Sequence, residues 1–101
     1  MKKIIYNKMY NTETATEIGS DNYSYSNDFR YWLEILYKKK TGEYFLYGEG
    51  GPMSKYRKYS SYNSWGGGEE IIPMTYDEAR EWAEEHLDAD TYIATFGDVE
   101  E

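Results

Sequence analysis

Apolar side chains recur at helical spacing near the C-terminal end of the chain. They occupy positions i, i+3, i+4, i+7 and i+8, which are Ala79, Trp82, Ala83, His86 and Leu87. This period places them on one face of an α-helix. Thr75, with Glu78 three residues later, has the spacing of a capping box. The pattern therefore predicts a helix that begins after Thr75.

A shorter helix is predicted directly after the first one. Asp88 or Asp90 can accept a hydrogen bond from a backbone N–H of the first turn, as N-cap residues do. An apolar stripe follows, and Gly97 supplies a residue that can close the helix. The stripe consists of Tyr92, Ile93 and Phe96.

A β-hairpin is the clearest strand prediction. Residues 29–39 and 44–47 are dense in aromatic and aliphatic side chains and flank a turn at residues 40–43, which contains a glycine. Alternation along the first strand puts Tyr31, Leu33, Ile35 and Tyr37 on one face and Trp32, Glu34 and Leu36 on the other. Both faces are partly apolar, so we expect one to pack on a helix and the other to be partly open.

The N-terminal segments carry weaker patterns. Residues 4–6 and 9–10 predict two short strands joined by a turn at Asn7 and Lys8. Residues 14–18 predict a short helix that is capped by Asn11 or Thr12 and ended by Gly19. Residues 20–28 are rich in Ser, Asn and Asp and predict a loop.

The region between the hairpin and the helices is punctuated by glycine. The run at residues 48–52 is expected to end the second strand, and residues 53–68 predict an irregular connection. Residues 69–72 predict a last strand, ended by Pro73. The sum is one α+β domain over residues 1–101: a small antiparallel sheet of about four to five short strands, with C-terminal helices packed on one face.

Composition narrows the class of protein. The chain has 101 residues and no cysteine, so it has no disulfides, no thiolate metal ligands and no cysteine nucleophile. A signal-peptide core and a membrane span are not apparent in the sequence. We expect a cytoplasmic protein with no membrane partner.

Charge is distributed very unevenly along the chain. Residues 1–68 carry ten basic and seven acidic side chains, whereas residues 69–101 carry twelve acidic side chains and one basic residue, Arg80. A surface polarised in this way can steer a basic partner toward its acidic side. A face that serves only solubility is the alternative.

The residues needed for catalysis are scarce, and we expect no enzymatic activity. The only histidine, His86, lies on the apolar stripe of the predicted helix, where a packed histidine is commoner than a general base. The glycine-rich runs at residues 48–51 and 66–68 lack the Gly-Lys-Ser/Thr signature of a phosphate-binding loop. No cofactor and no metal site are expected, since the carboxylate pairs lack the loop of a calcium site.

The acidic helix is the candidate binding surface. Its carboxylates are Asp77, Glu78, Glu81, Glu84, Glu85 and Asp88. They recur about once per 3 Å of helix axis, close to the roughly 3.4 Å spacing of phosphates along one DNA strand. The helix could therefore present a DNA-like charge density to a basic groove. Tyr47 and Tyr56 are predicted to add aromatic contact area.

Basic residues suggest an alternative function. Residues 38–40 are three lysines at the hairpin tip, and residues 55–59 interleave Lys and Arg with Tyr, as single-strand binding proteins do. A small nucleic-acid-binding regulator is thus the second hypothesis. The net charge of −8 opposes it, because polyphosphate is repelled by an acidic protein. Lysines that protect a sheet edge are the structural explanation.

Several runs resemble a set of small acidic accessory proteins of phages and other mobile elements of Gram-positive bacteria. The runs are KII at 3–5, YNTETA at 10–15, TGEYFLYGEGGPMSKY at 41–56, IIPM at 71–74 and DEAREWA at 77–83. Proteins of this size, charge and setting include anti-CRISPR inhibitors, many of which occupy a nucleic-acid site. The resemblance implies a mobile-element setting and suggests a role. Together with the acidic C-terminal segment, it leads us to expect an inhibitor whose partner is a bacterial defence effector, a CRISPR–Cas complex, and whose acidic surface blocks nucleic-acid binding.

Overall fold

A computed structural model describes residues 1–25, 27–60 and 64–100. The elements follow one another as β1 (Lys2–Ile5), β2 (Lys8–Asn11), β3 (Thr16–Tyr23), β4 (Trp32–Lys38), β5 (Tyr44–Gly50), β6 (Lys58–Ser60), β7 (Ser64–Gly66), β8 (Gly68–Met74), α1 (Tyr76–His86) and α2 (Ala89–Phe96). The fold is α+β, with a four-stranded antiparallel sheet in the order β3-β4-β5-β8 and two C-terminal helices. Within the described ranges, neither helix has the length and apolar character needed to cross a membrane.

One face of the sheet packs against the helices. Leu36, Tyr44 and Leu46 of the central strands are buried against the apolar side of α1 and against α2. The helix residues in this core are Ala79, Trp82, Ala83 and Tyr92. The hydrophobic periodicity that predicts α1 thus selects the side chains that face the sheet.

Both helix starts match the capping pattern. The N–H of Glu78 donates to Thr75 Oγ1 at 3.1 Å, and Glu78 Oε1 accepts from the N–H of Thr75 at 2.9 Å. Asp88 Oδ1 accepts from the N–H of Thr91 at 2.7 Å, which makes Asp88 the N-cap of α2. Capping involves only neighbours in the sequence, so these boundaries can be read locally.

The opposite face of the sheet is covered by the β1–β2 hairpin. Tyr10 of β2 packs edge-on against Phe45 at 5.5 Å, and Tyr37 stacks on the same ring at 5.2 Å. Ile71 completes this second buried cluster. Alternation along β4 therefore places its apolar side chains in two separate cores, one on each face of the sheet.

Three predictions for the N-terminal region are wrong. Residues 16–18 of the predicted helix and residues 20–23 of the predicted loop belong to β3, which pairs with β4 from Thr16 to Tyr23. Pairing with β4, a later strand, outweighs a weak local helix preference. The turn of the first hairpin lies at Tyr6 and Asn7, whose φ values are 50° and 69°, one residue earlier than expected.

The second strand of the central hairpin ends within the glycine run as predicted, but at Gly50, three residues after the predicted end at Tyr47. β5 continues to Gly50 because Gly48 and Gly50 leave room for the side chains of Tyr56 and Ser54, which lie over the strand. Residues 58–60 and 64–66, for which the sequence predicts an irregular connection, form the paired strands β6 and β7, and the same prediction for residues 61–63 lies outside the described residues. Pro73 lies inside β8, one residue before its end, and β8 is an edge strand, where a missing N–H is tolerated.

Candidate functional site

The helical period of α1 brings its carboxylates to the solvent side. The acidic face, as we name it, comprises Asp77, Glu78, Glu81, Glu84 and Glu85, all of which are exposed. Trp82, Ala79 and Ala83 occupy the opposite, buried side. Five acidic side chains thus lie within about 12 Å of helix axis, at roughly 1.5 Å per residue. Asp88 is exposed but lies beyond the end of α1, at the junction with α2.

Arg80 neutralises one edge of the acidic face. Its Nη2 lies 3.6 Å from Asp77 Oδ1, and its Nη1 lies 3.4 Å from Glu84 Oε1. The Tyr92 hydroxyl also donates to Glu84 Oε1, at 3.3 Å. Two of the five carboxylates therefore have a cation beside them. Arg80 is the only basic residue of this region, so its one-turn spacing from both acids was visible in the sequence.

Two more carboxylates hold helix ends. Glu78 is a member of the capping box, and Asp88 is the N-cap of α2. The hydrogen bond from the Thr91 N–H holds the pKa of Asp88 below its ordinary value, so this group stays charged. Substitution at either position would disturb the helices as well as the surface charge.

Glu81 and Glu85 remain as carboxylates without such a structural task. Among the described residues, Glu81 has no hydrogen bond or ion pair to another side chain. Glu85 is 78% exposed and lies 3.9 Å from Nε2 of His86. These two residues are one helical turn apart and form the part of the acidic face most open to a partner.

Tyr47 and Tyr56, predicted as further contact residues, do not join the acidic face. Tyr47 is half-buried on the opposite side of the sheet and donates to Glu69 Oε2 at 2.7 Å. Burial and this hydrogen bond raise the pKa of Tyr47. Tyr56 is only 3% exposed and its hydroxyl donates to Glu34. Tyr56 is therefore a core residue.

A buried carboxylate lies beneath α1. Glu34 is fully buried and accepts hydrogen bonds from Trp82 Nε1 at 3.0 Å, from the Tyr56 hydroxyl and from Lys55, whose Nζ lies 2.6 Å away. Burial by itself raises the pKa of Glu34, but the three donors outweigh it and leave that pKa below its usual range. In the sequence, this buried site is indicated by the placement of an acidic residue on the helix-facing side of β4.

His86 has packing and hydrogen-bonding partners on several sides. Its Nδ1 lies 2.8 Å from Asp21 Oδ2, and its ring stacks on Trp82 at 4.7 Å. Its Nε2 lies 4.0 Å from Glu34 Oε1. These contacts tie the last turn of α1 to β3 and β4. Across the described ranges, no group of three or more His, Asp and Glu side chains is arranged to hold a metal ion.

Some of the basic residues that suggest nucleic-acid binding already have partners within the protein. Lys39 lies 4.0 Å from the centre of the Tyr10 ring and 3.3 Å from Glu43 Oε1. Lys55 is bound to Glu34. Arg57, by contrast, stacks over the exposed ring of Trp65 at 4.8 Å. The β6–β7 hairpin thus carries an exposed basic and aromatic surface.

Comparison of the chain with protein-family models, with curated proteins and with solved structures gives no significant match. The functional argument therefore rests on the geometry of the chain itself.

Proposed function

We propose that this protein is an anti-CRISPR-like inhibitor that binds a bacterial CRISPR–Cas effector through the acidic face and blocks its nucleic-acid site. The observation that carries the proposal is the exposed row of carboxylates on α1, centred on Glu81 and Glu85. A groove that holds nucleic acid is lined with Lys and Arg, and a rigid row of carboxylates is complementary to it.

The acidic face is held rigidly enough to act as a charged template. The buried side of α1 packs through Trp82 and Ala83, and the Trp82 indole donates to Glu34. The helix is therefore already ordered before it meets a partner. No conformational entropy has to be lost on binding to form it, and this favours binding. Because Arg80 lies beside Asp77 and Glu84, the unneutralised charge of the acidic face is concentrated at Glu81 and Glu85.

Long-range attraction supports the same partner class. The segment that contains both helices is strongly acidic, so it accelerates encounter with a basic surface at low ionic strength. This steering weakens as salt rises, because the screening length falls to about 8 Å at physiological ionic strength. Inhibition by this mechanism should therefore be salt-sensitive.

The test is a charge-reversal pair with a matched control. Glu81→Lys/Glu85→Lys changes the acidic face and leaves both helix caps intact. Glu13→Lys/Glu17→Lys makes the same change in net charge at exposed positions near β3. Each protein is added to a panel of purified CRISPR–Cas effectors, single-protein and multi-subunit, and cleavage of target DNA is measured.

We expect the unaltered protein to inhibit at least one effector, the Glu13/Glu17 variant to inhibit equally, and the Glu81/Glu85 variant to lose at least tenfold in potency. Circular dichroism and urea unfolding confirm that both variants fold. Absence of inhibition across the panel, or equal potency of the two variants, would refute the proposal.

A second candidate function, direct binding of single-stranded nucleic acid, is favoured by the β6–β7 hairpin. Arg57 and Trp65 form a stacked pair, and Tyr59 lies edge-on to Trp65 at 5.4 Å. Aromatic and Arg side chains are typical stacking partners for bases. Electrophoretic shift of labelled single-stranded DNA and RNA at low salt distinguishes the two functions, because a nucleic-acid mimic gives no shift.

A further inference from the structure

Two different parts of the chain cover the helix-facing side of the sheet. The helices cover the part around Leu36 and Leu46. The segment that follows β5 crosses the other part and places Tyr56 over Gly48 and Ser54 over Gly50. Between the end of α1 and this crossing segment, the sheet is left open as a cavity of about 390 Å³.

Rings line this cavity. Trp32 and Tyr23 are paired across β4 and β3, so both side chains lie on the same face of the sheet. The His86 ring stands edge-on to Trp32 at 5.9 Å. Tyr23 is 45% exposed and Met53 is 61% exposed. The cavity therefore offers uncovered aromatic and apolar surface to a flat ligand.

Two cations stand at the same cavity. Lys55 Nζ lies 2.6 Å from Glu34 Oε2 and is 63% exposed, so its ammonium has N–H donors left over. Arg30 is 64% exposed, and its Nε lies 3.8 Å from Asp28 Oδ1, beyond hydrogen-bond distance. The Glu34 carboxylate already accepts three donors. Lys55 and Arg30 therefore supply charged N–H donors at this cavity.

We propose that this cavity binds a free nucleoside monophosphate, with the base against Trp32 and Tyr23 and the phosphate on Arg30 and Lys55. The volume lies within the usual range for small-molecule sites, roughly 300–1,000 Å³. Rings for the base and charged donors for the phosphate are both present within one cavity. This binding site is independent of the acidic face and of its function.

Net charge decides between a free nucleotide and a nucleotide within a strand. A chain at −8 repels a long polyphosphate more strongly than a single phosphate, which is held by direct contacts to Arg30 and Lys55 in spite of the carboxylates beside them. The ligand is therefore a mononucleotide, and a strand that carries the same group binds more weakly.

Isothermal titration calorimetry and tryptophan fluorescence test the site with AMP, adenosine, inorganic phosphate and a ten-nucleotide oligo(dA). We expect AMP to bind roughly tenfold or more tightly than adenosine, because the phosphate adds charge-assisted hydrogen bonds. Arg30→Ala should weaken AMP binding by a similar factor, and Tyr23→Ala should weaken both AMP and adenosine. The matched control, Lys2→Ala, removes an exposed cation outside the cavity and should leave AMP binding unchanged.

The proposal is overturned if AMP at 5 mM gives neither heat nor a fluorescence change, or if Arg30→Ala and Tyr23→Ala bind AMP as the unaltered protein does. Tighter binding of oligo(dA) than of AMP would overturn the assignment to a free nucleotide. Inhibition of an effector by the unaltered protein does not bear on these results, so failure here is separate from failure of the proposed function.

Discussion

The ring of Tyr56 occupies the space that a side chain at position 48 would need. A Cβ built on Gly48 would lie 2.0 Å from Cζ of Tyr56, well inside van der Waals contact. From this position the Tyr56 hydroxyl reaches Glu34 across the sheet. The glycine is thus required by packing, and its φ is not in the left-handed region.

Gly48→Ala should therefore destabilise the fold. We expect a loss of about 1–3 kcal/mol in the free energy of unfolding, the usual cost of an overpacked core. Urea denaturation followed by circular dichroism measures it. Gly66→Ala is the control, since its nearest neighbour is the Lys58 carbonyl oxygen at 4.0 Å. Equal stabilities for the two variants would contradict this account of Gly48.

Removal of the buried carboxylate should cost more than its neutralisation. Glu34→Ala leaves Trp82 Nε1 and the Tyr56 hydroxyl without their acceptor, and each unpaired buried group costs about 1–3 kcal/mol. Glu34→Gln retains one oxygen acceptor and should lose less. Urea unfolding of the two variants at pH 7 gives the comparison, and a loss below about 1 kcal/mol for Glu34→Ala would show that the donors find other partners.

Acid should remove the stabilising effect of Glu43. This carboxylate lies 2.8 Å from Lys8 Nζ, and that hydrogen bond, with those from Lys39 and Thr41, lowers its pKa to about 2. A depressed pKa in the folded state means that the stabilisation is present above the unfolded value, about 4.3, and is lost as pH falls toward 2.

The measurement is the stability difference between the unaltered protein and Glu43→Gln. We expect the difference to be constant from pH 7 to about pH 5 and to shrink between about pH 4.3 and 2. Glu13→Gln, which makes the same change of side chain at an exposed position, is the control. A difference for Glu43→Gln that persists at pH 2 would mean that its ion pairs do not set the pKa.

Loss of Arg80 should strengthen the acidic face. Arg80→Gln frees Asp77 and Glu84 from their cation, at a small stability cost because both ion pairs are exposed. Under the proposed function, the variant should associate with its effector about two- to fivefold faster at low salt. Lys40→Gln makes the same change in net charge away from α1, and stopped-flow or biosensor kinetics that rank the two variants equally would argue against this face.

The elements that could be predicted are those specified by neighbouring residues. The capping box at Thr75, the apolar period of α1 and the Asp88 cap depend on spacings of three or four residues, and the structure has all of them. The turn containing Gly42 is equally local, with φ at 95°. Alternation along β4 also separated the two apolar faces correctly.

The missed elements depend on distant partners. β3 is a strand because it pairs with β4, although its own residues favour turns and a short helix. β5 passes through Gly48 because Tyr56 packs there. Tyr56 looked like a surface contact residue since nothing near it in the sequence indicates Glu34. The exposed carboxylates of α1 were predicted, and so were the caps at Glu78 and Asp88, although Asp90 was an alternative to Asp88.

Some carboxylates of the helical region hold a helix end and others do not. This difference affects how the surface can evolve. Glu78 and Asp88 each anchor a helix terminus, so drift at these positions carries a penalty in folding. Glu81 and Glu85 carry no such penalty. Under the proposed function, the surface that meets the effector can therefore change by exchange of these two side chains, while the scaffold beneath them stays the same.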